Sequence, residues 1–591
     1  EWSAVSRRLA RDEVDVLLVS PERLVNARFR EEQLPQLVAR MGLLVIDEAH
    51  CISDWGHDFR PDYRRIRSLI AELPDGVPVL ATTATANERV VADVAEQLGA
   101  GGHEVFTLRG SLARDSLRLG VLELGSSALR LAWLRQHLDG LPGSGIIYCL
   151  TVSAAEDTAV FLADAGYPVL PYTGRTDPDD RQHAEAALKA NEVKALVATS
   201  ALGMGFDKPD LGFVVHLGAP SSLVAYYQQV GRAGRATERA DVLLLPGRED
   251  REIWHFFATN AMPTRARADA VLGELSDNPL SAPALGARVD LRRGQLDLLL
   301  KVLAVEGAVR QVQGGWVATG QPWDYDEDRY TRIAAARVAE QEAMLDYEAL
   351  GEGQCRMAYL TASLDDPASA ACGRCDTCAG PWYPAEVNDD GAEAGNRAVG
   401  AGSAATLAPA PGLRAPGGER HEPGRAVARL TDLGYGTALR ELFAVDSDGR
   451  PLDAQVPAPL AAACLRTLKE WDWEQRPAAV AWVPSVSRPT LVSSLATGVA
   501  QAGRLALLGP LDLALGAAPL NRSTNAAYRL RDVLHRFQVP EAMAARLPEL
   551  AGPVLLIDDL VESRWTLTIA ARLLCQAGAG TVLPFALAAA G

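Results

Sequence analysis

One alternation constrains the fold of this chain more than any other feature. Over residues 1 to about 250, short apolar stretches ("VDVLLVS", "GLLVIDEAH", "VPVLATTAT", "SGIIYCL", "KALVATS", "GFVVHLG", "ADVLLLP") are separated by amphipathic stretches. Apolar runs this short, interleaved with helices, build parallel sheets that helices cover on both faces. The runs form two sets that divide near "LRGSLARDSLRLGV", which predicts two α/β lobes of the RecA-like parallel-sheet kind, 1–108 and 109–262, the first incomplete. Residues 263–325 read as short helices followed by a hairpin, "GAVRQVQGGWVAT", a winged-helix-like domain. A long helix then leads through 326–381 into a cluster of cysteines. Residues 382–424 are rich in Gly, Ala and Pro and read as a flexible linker. A last α/β domain over 425–591 carries the strands "AAVAWVPS", "GRLALLGPL" and "GPVLLIDDL".

Composition sets limits on function. A chain of 591 residues with 48% hydrophobic content exceeds what one core serves. No apolar run approaches a membrane span and no basic, then apolar, export signal opens the chain, which predicts no membrane partner. The net charge of −17 argues against a basic coat for nucleic acid, although local basic tracks remain possible. The chain opens without Met and in mid-pattern, which we read as a missing first portion.

The carboxylates of Asp47-Glu48-Ala49-His50 end an apolar strand. A carboxylate at a strand's C-terminal edge suits water-mediated Mg²⁺, and its neighbour suits orientation of a water attacking a γ-phosphate. Directly after it comes a loop crowded with Trp55, His57, Phe59 and Arg60, which offer stacking faces and a cation to single-stranded bases and phosphates. Taken alone, the acidic pair also fits a solvated turn and the aromatics also fit a core. "ATTATA" supplies Thr82, Thr83 and Thr85, which fit either a relay between lobes or a helix cap. "GMGFDKPD" places Gly203, Gly205 and Asp207 on a tight loop, and "YYQQVGRAGR" supplies Gln229, Arg232 and Arg235. Guanidinium groups that never lose their charge suit transferring phosphoryl oxygens.

In this order, with "LVSPERL" upstream, the segments resemble those of superfamily 2 helicases, and "HCISDWGHDFRPDYRRI" resembles the RecQ family in particular. The resemblance covers roughly residues 12–250. It implies an ATP-dependent DNA helicase of 3′ to 5′ polarity acting in repair or recombination. Mg²⁺ with ATP would be its cofactor and single-stranded or partially duplex DNA its partner. A monomeric, cytoplasmic and nucleoid-associated bacterial protein is implied as well. Asp47, Glu48, Arg232 and Arg235 would be catalytic, with Arg235 as first choice for the arginine finger. His50, Thr82, Thr83, Thr85, Gly203, Gly205, Asp207 and Gln229 would bind nucleotide or couple the lobes.

Cys355, Cys372, Cys375 and Cys378 form C-x16-C-x2-C-x2-C. Four thiolates with two tight turns suit a closed, structural tetrahedral Zn²⁺ site, as in the RecQ zinc module. Two departures from the family stand out. The winged-helix candidate precedes the cysteines where RecQ proteins place it after them. None of the five lysines follows a glycine, so the phosphate loop G-x-x-x-x-G-K-[ST] is absent from these residues.

"GPVLLIDDLVESRWTLTIAARLL" resembles the diphosphate-sugar loop of the phosphoribosyltransferase fold, with Asp558, Asp559, Ser563, Arg564 and Thr566 at the ligand positions and Arg488 on a facing loop. Glu562 and Trp565 replace the small residues expected there. A RecQ-type helicase joined to such a domain resembles the RecQ-like helicases of actinobacteria. Two other readings stay open: a DNA-binding scaffold without ATPase activity, and a phosphoribosyltransferase-type enzyme with a helicase-derived appendage.

Overall fold

The computed structural model describes residues 2–26, 29, 32–52, 66, 69–70, 72–74, 76–85, 87–99, 105–203, 206–261, 264–291, 293–366, 370–400, 404–410, 422–432, 434–446, 449–514 and 526–590. They fall into two compact units that do not follow chain order. The first gathers Glu1–Gly120, Pro220–Arg232 and Trp254–Trp382; the second gathers Val121–Ala219, Ala233–Ile253 and Tyr383–Gly591.

In the first unit, strand Leu44–Ile46 pairs in parallel with Val79–Ala81, in the register Leu44 to Val79. The apolar stretch 14–20, expected as a strand, is irregular, with Val16 and Leu18 exposed. A strand exists only as part of a hydrogen-bonded ladder, and among the described residues nothing pairs with this one. Helix Glu88–Leu98 follows, capped by Asn87 Oδ1 accepting from Val90 N at 2.9 Å. Further along, helices Arg265–Glu274, Ala282–Gly286 and Arg293–Val305 enclose a core of Val271, Leu285, Leu296, Leu300 and Leu303. The expected hairpin is present as antiparallel Val309–Val312 and Gly315–Ala318. Trp316 is buried in this core and bridges Leu280, so it packs instead of presenting a free ring. Gly315, at φ +151°, lies so close to the Leu280 carbonyl that a Cβ would sit 2.3 Å from it.

In the second unit, strands Ala240–Leu245, Phe213–Leu217, Gly145–Cys149, Ala195–Ala198 and Val169–Tyr172 lie side by side in that order, all parallel. Leu117–Val121, where the chain passes from one unit to the other, forms the edge beside Ala240–Leu245. The three central strands are buried on both faces, which is why their sequences are apolar without alternation.

The C-terminal sheet has the order Ala405–Leu407, Gly424–Arg429, Val582–Ala589, Val554–Val561, Ala479–Trp482, Ala506–Pro510; only the first pair is antiparallel. Successive residues of its central strand serve opposite cores. Val554 and Leu556 pack with helix Trp565–Gln576, and Leu555 and Ile557 with helix Pro489–Gly503.

The flexible linker expected over 382–424 is corrected by this arrangement. Asp389–Gly400 is a helix packed on helix Ser127–His137, and Ala405–Leu407 is the edge strand of the C-terminal sheet, which therefore begins before residue 425. No helix of the described residues is long and apolar enough to cross a membrane.

Asp250 opens helix Asp250–Ala261 inside the second unit. Its Oδ2 accepts from Ala219 N at 2.7 Å and Gly247 N at 2.8 Å, while Oδ1 is buried without a partner among the described residues. Burial pushes its carboxyl from the ordinary 3.8 up to about 7, against the pull of those two N–H groups and Arg130. The folded protein thus keeps a proton that the unfolded chain releases near pH 4. This contribution is full below that pH and is lost as pH rises through about 7, on the order of 4 kcal/mol at most. Chemical denaturation between pH 5 and 8 should show stability falling with pH, and Asp250→Asn should flatten that slope. A variant with the wild-type slope would remove Asp250 as its source.

Candidate functional site

The turn after strand Leu44–Ile46 is held from its parallel neighbour. Thr82 N donates to Ile46 O, and Ala49 N donates to Thr82 O, each at 2.9 Å. Glu48 takes a left-handed backbone, φ +51°, a conformation that costs a non-glycine residue about 1–2 kcal/mol. Two bonds offset this: Glu48 N donates to Asp47 Oδ1 at 2.9 Å, and Thr82 Oγ1 donates to the same oxygen at 2.9 Å. Asp47 is exposed, Glu48 half-buried and His50 wholly buried. One acid therefore faces solvent, where a hydrated cation could be held, while the other turns inward.

His50 organises what lies behind them. Its Nδ1 is 3.0 Å from Thr83 Oγ1 and 3.3 Å from Glu48 Oε2. Its Nε2 lies 3.5 Å from Gln228 Nε2, and that amide donates to Thr85 Oγ1 at 2.7 Å. All three candidate threonines thus bind a member of one network. Gln228 sits on helix Leu223–Val230, which Ser222 caps and which ends at Gly231, just before Arg232. Gln228, which the sequence did not single out, is brought to this network. Adjacent helical positions diverge by 100°, and the burial of Tyr226, Tyr227 and Val230, which fixes the helix phase, was the signal that could have picked it out.

Arg232 is buried in the first unit. Arg235 lies in the second, where its Nη1 donates to Asp207 Oδ1 at 2.7 Å, both groups substantially exposed. Gly234, at φ +68°, supplies the turn between the two arginines. Gly203 packs tightly, since a Cβ would meet the Ser200 carbonyl at 3.1 Å. Trp55, His57, Phe59, Arg60 and Gly205 lie outside the described residues.

The Sγ atoms of Cys355, Cys372, Cys375 and Cys378 all lie within 4.8 Å of one another, a spacing compatible with one tetrahedral metal ion. Backbone N–H groups point at the sulfurs: Cys372 N at 3.1 Å and Ala358 N at 3.4 Å from Cys355 Sγ, and Cys375 N at 3.4 Å from Cys372 Sγ. Such donors favour thiolates. Burial opposes ionisation of Cys375, but Thr377 and backbone N–H groups prevail and hold its thiol at about 7. Burial and the neighbouring Cys375 push Cys378 up to about 12. Beneath the cluster, buried Arg356 pairs with buried Asp376 and donates to the Tyr347 carbonyl at 2.8 Å. Cys51, Cys149 and Cys464 are buried, as packing residues should be, while Cys575 is partly exposed.

In the C-terminal sheet, Asp558 and Asp559 lie beside the end of Ala479–Trp482, where the connections depart in opposite directions. Such switch points open a crevice in parallel sheets. Ser485 Oγ closes it by donating to Asp559 Oδ2 at 3.1 Å. A cavity of about 80 Å³ is lined by Ser485, Arg488, Arg529, Arg536, Asp559 and Glu562. The Arg488 guanidinium donates to the Phe443 carbonyl at 2.9 Å and lies 5.1 Å over the Phe443 ring. Asp558, fully buried and next to Asp559, has its carboxyl held well above the carboxylate range. Ser563 Oγ and Thr566 Oγ1 are buried with no partner among the described residues, and Arg564 is exposed.

Known proteins resemble this chain in the region of the first site. Residues 2–94 match the DEAD/DEAH box helicase family and residues 130–237 the helicase conserved C-terminal domain. The chain is 37% identical over 237 residues to the RecQ-like DNA helicase BLM of Xenopus laevis, a match covering 39% of this chain and 17% of that protein. It is 35% identical over 224 residues to the ATP-dependent helicase SGS1 of Saccharomyces cerevisiae, covering 38% and 15%. With the ATP-dependent DNA helicase Q1 of Mus musculus it shares 34% identity over 240 residues, covering 40% and 37%. The chain thus spans well under half the length of these relatives.

Proposed function

We infer that this chain, whose residues 2–237 are homologous to the RecQ-type DEAD/DEAH-box helicases, is the motor portion of an ATP-dependent DNA helicase of 3′ to 5′ polarity. The observation that carries the reading is the network from Asp47 and Glu48 through His50, Thr83 and Thr85 to Gln228. It joins an acidic turn suited to Mg·ATP to the helix that leads into Arg232 and Arg235.

In this reading Asp47 holds Mg²⁺ through water, and Glu48 orients the water that attacks the γ-phosphate. Arg232 and Arg235 stabilise charge on the transferring phosphoryl group. The present partner of Arg235 is no obstacle. An exposed pair such as Arg235–Asp207 is worth at most about 1 kcal/mol, so a nucleotide phosphate can displace the carboxylate. Gly203, Gly205 and Asp207 form the coupling loop, and Trp55, His57, Phe59 and Arg60 stack on single-stranded DNA. The hydrolysis is assigned to the protein with a phosphate loop supplied, because these 591 residues contain no G-x-x-x-x-G-K-[ST].

The four cysteines would hold a structural Zn²⁺ that folds residues 326–381, and 263–325 would be a winged-helix domain. For the C-terminal domain we favour a phosphoribosyltransferase-like fold that binds a nucleotide or DNA without transfer chemistry. Burial and the neighbouring Asp559 push the Asp558 carboxyl upward, which weakens it as an acceptor for ribose hydroxyls, and one Arg488 nitrogen already donates to the Phe443 carbonyl.

In the full-length protein, Glu48→Gln should lower DNA-stimulated ATP hydrolysis on the order of 100-fold or more while leaving single-stranded DNA affinity unchanged. Unwinding at the wild-type rate by this variant would show that the water is positioned elsewhere. Denaturing the purified protein in the presence of a zinc-sensitive dye should release about one Zn²⁺ per chain, and Cys375→Ala should abolish that release. Equal release from both proteins would place any zinc outside this cluster.

A further inference from the structure

We propose that the C-terminal α/β domain is a fixed passenger of the parallel-sheet body formed by residues 121–219 and 233–253, carried by it as one rigid piece. Domains joined by a short polar interface ordinarily move against each other. Here two separate attachments, distant in sequence, remove that freedom.

The first is a strap, residues 383–400. Tyr383 OH donates to Val121 O at 2.5 Å, and the buried Trp133 donates its indole N–H to Pro384 O at 2.7 Å. Helix Asp389–Gly400 then lies on helix Ser127–His137. Its contact face carries Gly391 and Gly395, four residues apart and hence on one side of the helix. A Cβ at Gly395 would sit 2.2 Å from the Ala128 carbonyl, and one at Gly391 would collide with the Gln136 amide. At Gly395 the missing side chain lets the strap backbone meet that of Ala128 directly, an approach that leaves little room for sliding, while Gly391 makes room for the Gln136 side chain. Ala405–Leu407, the edge strand of the C-terminal sheet, follows this helix in the chain.

The second attachment lies past strand Gly424–Arg429. Ser153 Oγ is 3.0 Å from Thr431 Oγ1 and 3.2 Å from Thr431 O, and Thr151 Oγ1 is 3.3 Å from that same carbonyl. Thr151 caps helix Val152–Asp164, so the C-terminal domain binds the end of a rigid element. Arg440 Nε donates to Glu252 Oε2 at 2.8 Å beside it. Between these contacts, Asp250, Asp432, Thr437 and Arg440 enclose about 10 Å³, room for about one water molecule and no larger gap. One attachment would leave a free hinge; a packed helix face together with a second, hydrogen-bonded attachment restrains it. A ligand held near Asp559 therefore keeps its distance from the sheet 145–245 throughout the nucleotide cycle.

Single-molecule energy transfer on the full-length protein tests this, with dyes on non-canonical residues placed at the exposed Glu192 and Glu470. One narrow distance distribution is expected, unchanged by DNA and a non-hydrolysable ATP analogue. A broad distribution, or a mean that shifts with nucleotide, overturns the proposal. Gly395→Leu should broaden the distribution; a narrow one would show that the strap does not hold the domain. The pair Ser153→Cys and Thr431→Cys needs no loss of packing. Oxidation should yield the 153–431 linked peptide by mass spectrometry with the distance unchanged, and absence of the link or a shifted distance also overturns the proposal.

Discussion

The buried imidazole of His50 is the constraint on which the first site depends. A histidine with no exposed surface must find partners for both ring nitrogens, or its burial costs more than packing returns. Its partners come from three places: Glu48 within its own turn, Thr83 on the neighbouring strand connection and Gln228 on a helix nearly 180 residues away. A side chain needed to satisfy a local desolvation problem thereby adds the helix carrying Gln228 to two segments that the parallel ladder already joins. Arg232 and Arg235 follow Gln228 in the chain by four and seven residues.

The second dependence is on backbone proximity. The strap helix meets Ser127–His137 through glycines, and the hairpin at Gly315 meets Leu280 in the same way. In both places the fold uses the absence of a side chain, where the rest of the core uses apolar volume. Such contacts contribute little buried apolar area but fix position closely, since backbone atoms have no rotamers with which to adjust.

This difference explains what could be read in the sequence. The parallel sheets were legible because doubly buried strands such as "GIIYC" and "FVVHL" are buried at every position and, His216 aside, largely apolar. The acidic turn and the four cysteines were legible because their chemistry lies in adjacent residues. The strap was not. "GAEAG" has the composition of a linker, and its burial comes entirely from a partner helix some 260 residues earlier. Gln228 was not singled out in the sequence because its place in the network rests on helix phase, which tertiary packing of Tyr226, Tyr227 and Val230 decides. Arg488 was read as facing a ligand because it follows a strand in a crevice loop. Its guanidinium instead answers the carbonyls of Phe443 and Ala444, a demand that no local pattern announces.

The link through Gln228 is tested most directly by a double-mutant cycle. DNA-stimulated ATP hydrolysis would be measured in the full-length protein for Thr85→Ala, Gln228→Ala and the two combined. If the hydrogen bond between them carries the coupling, the double variant should lose little more than the worse single one, with an interaction energy on the order of 1 kcal/mol. Losses that simply add would mean that the two residues act independently and that the network joining the acidic turn to the arginine helix does not transmit the nucleotide state.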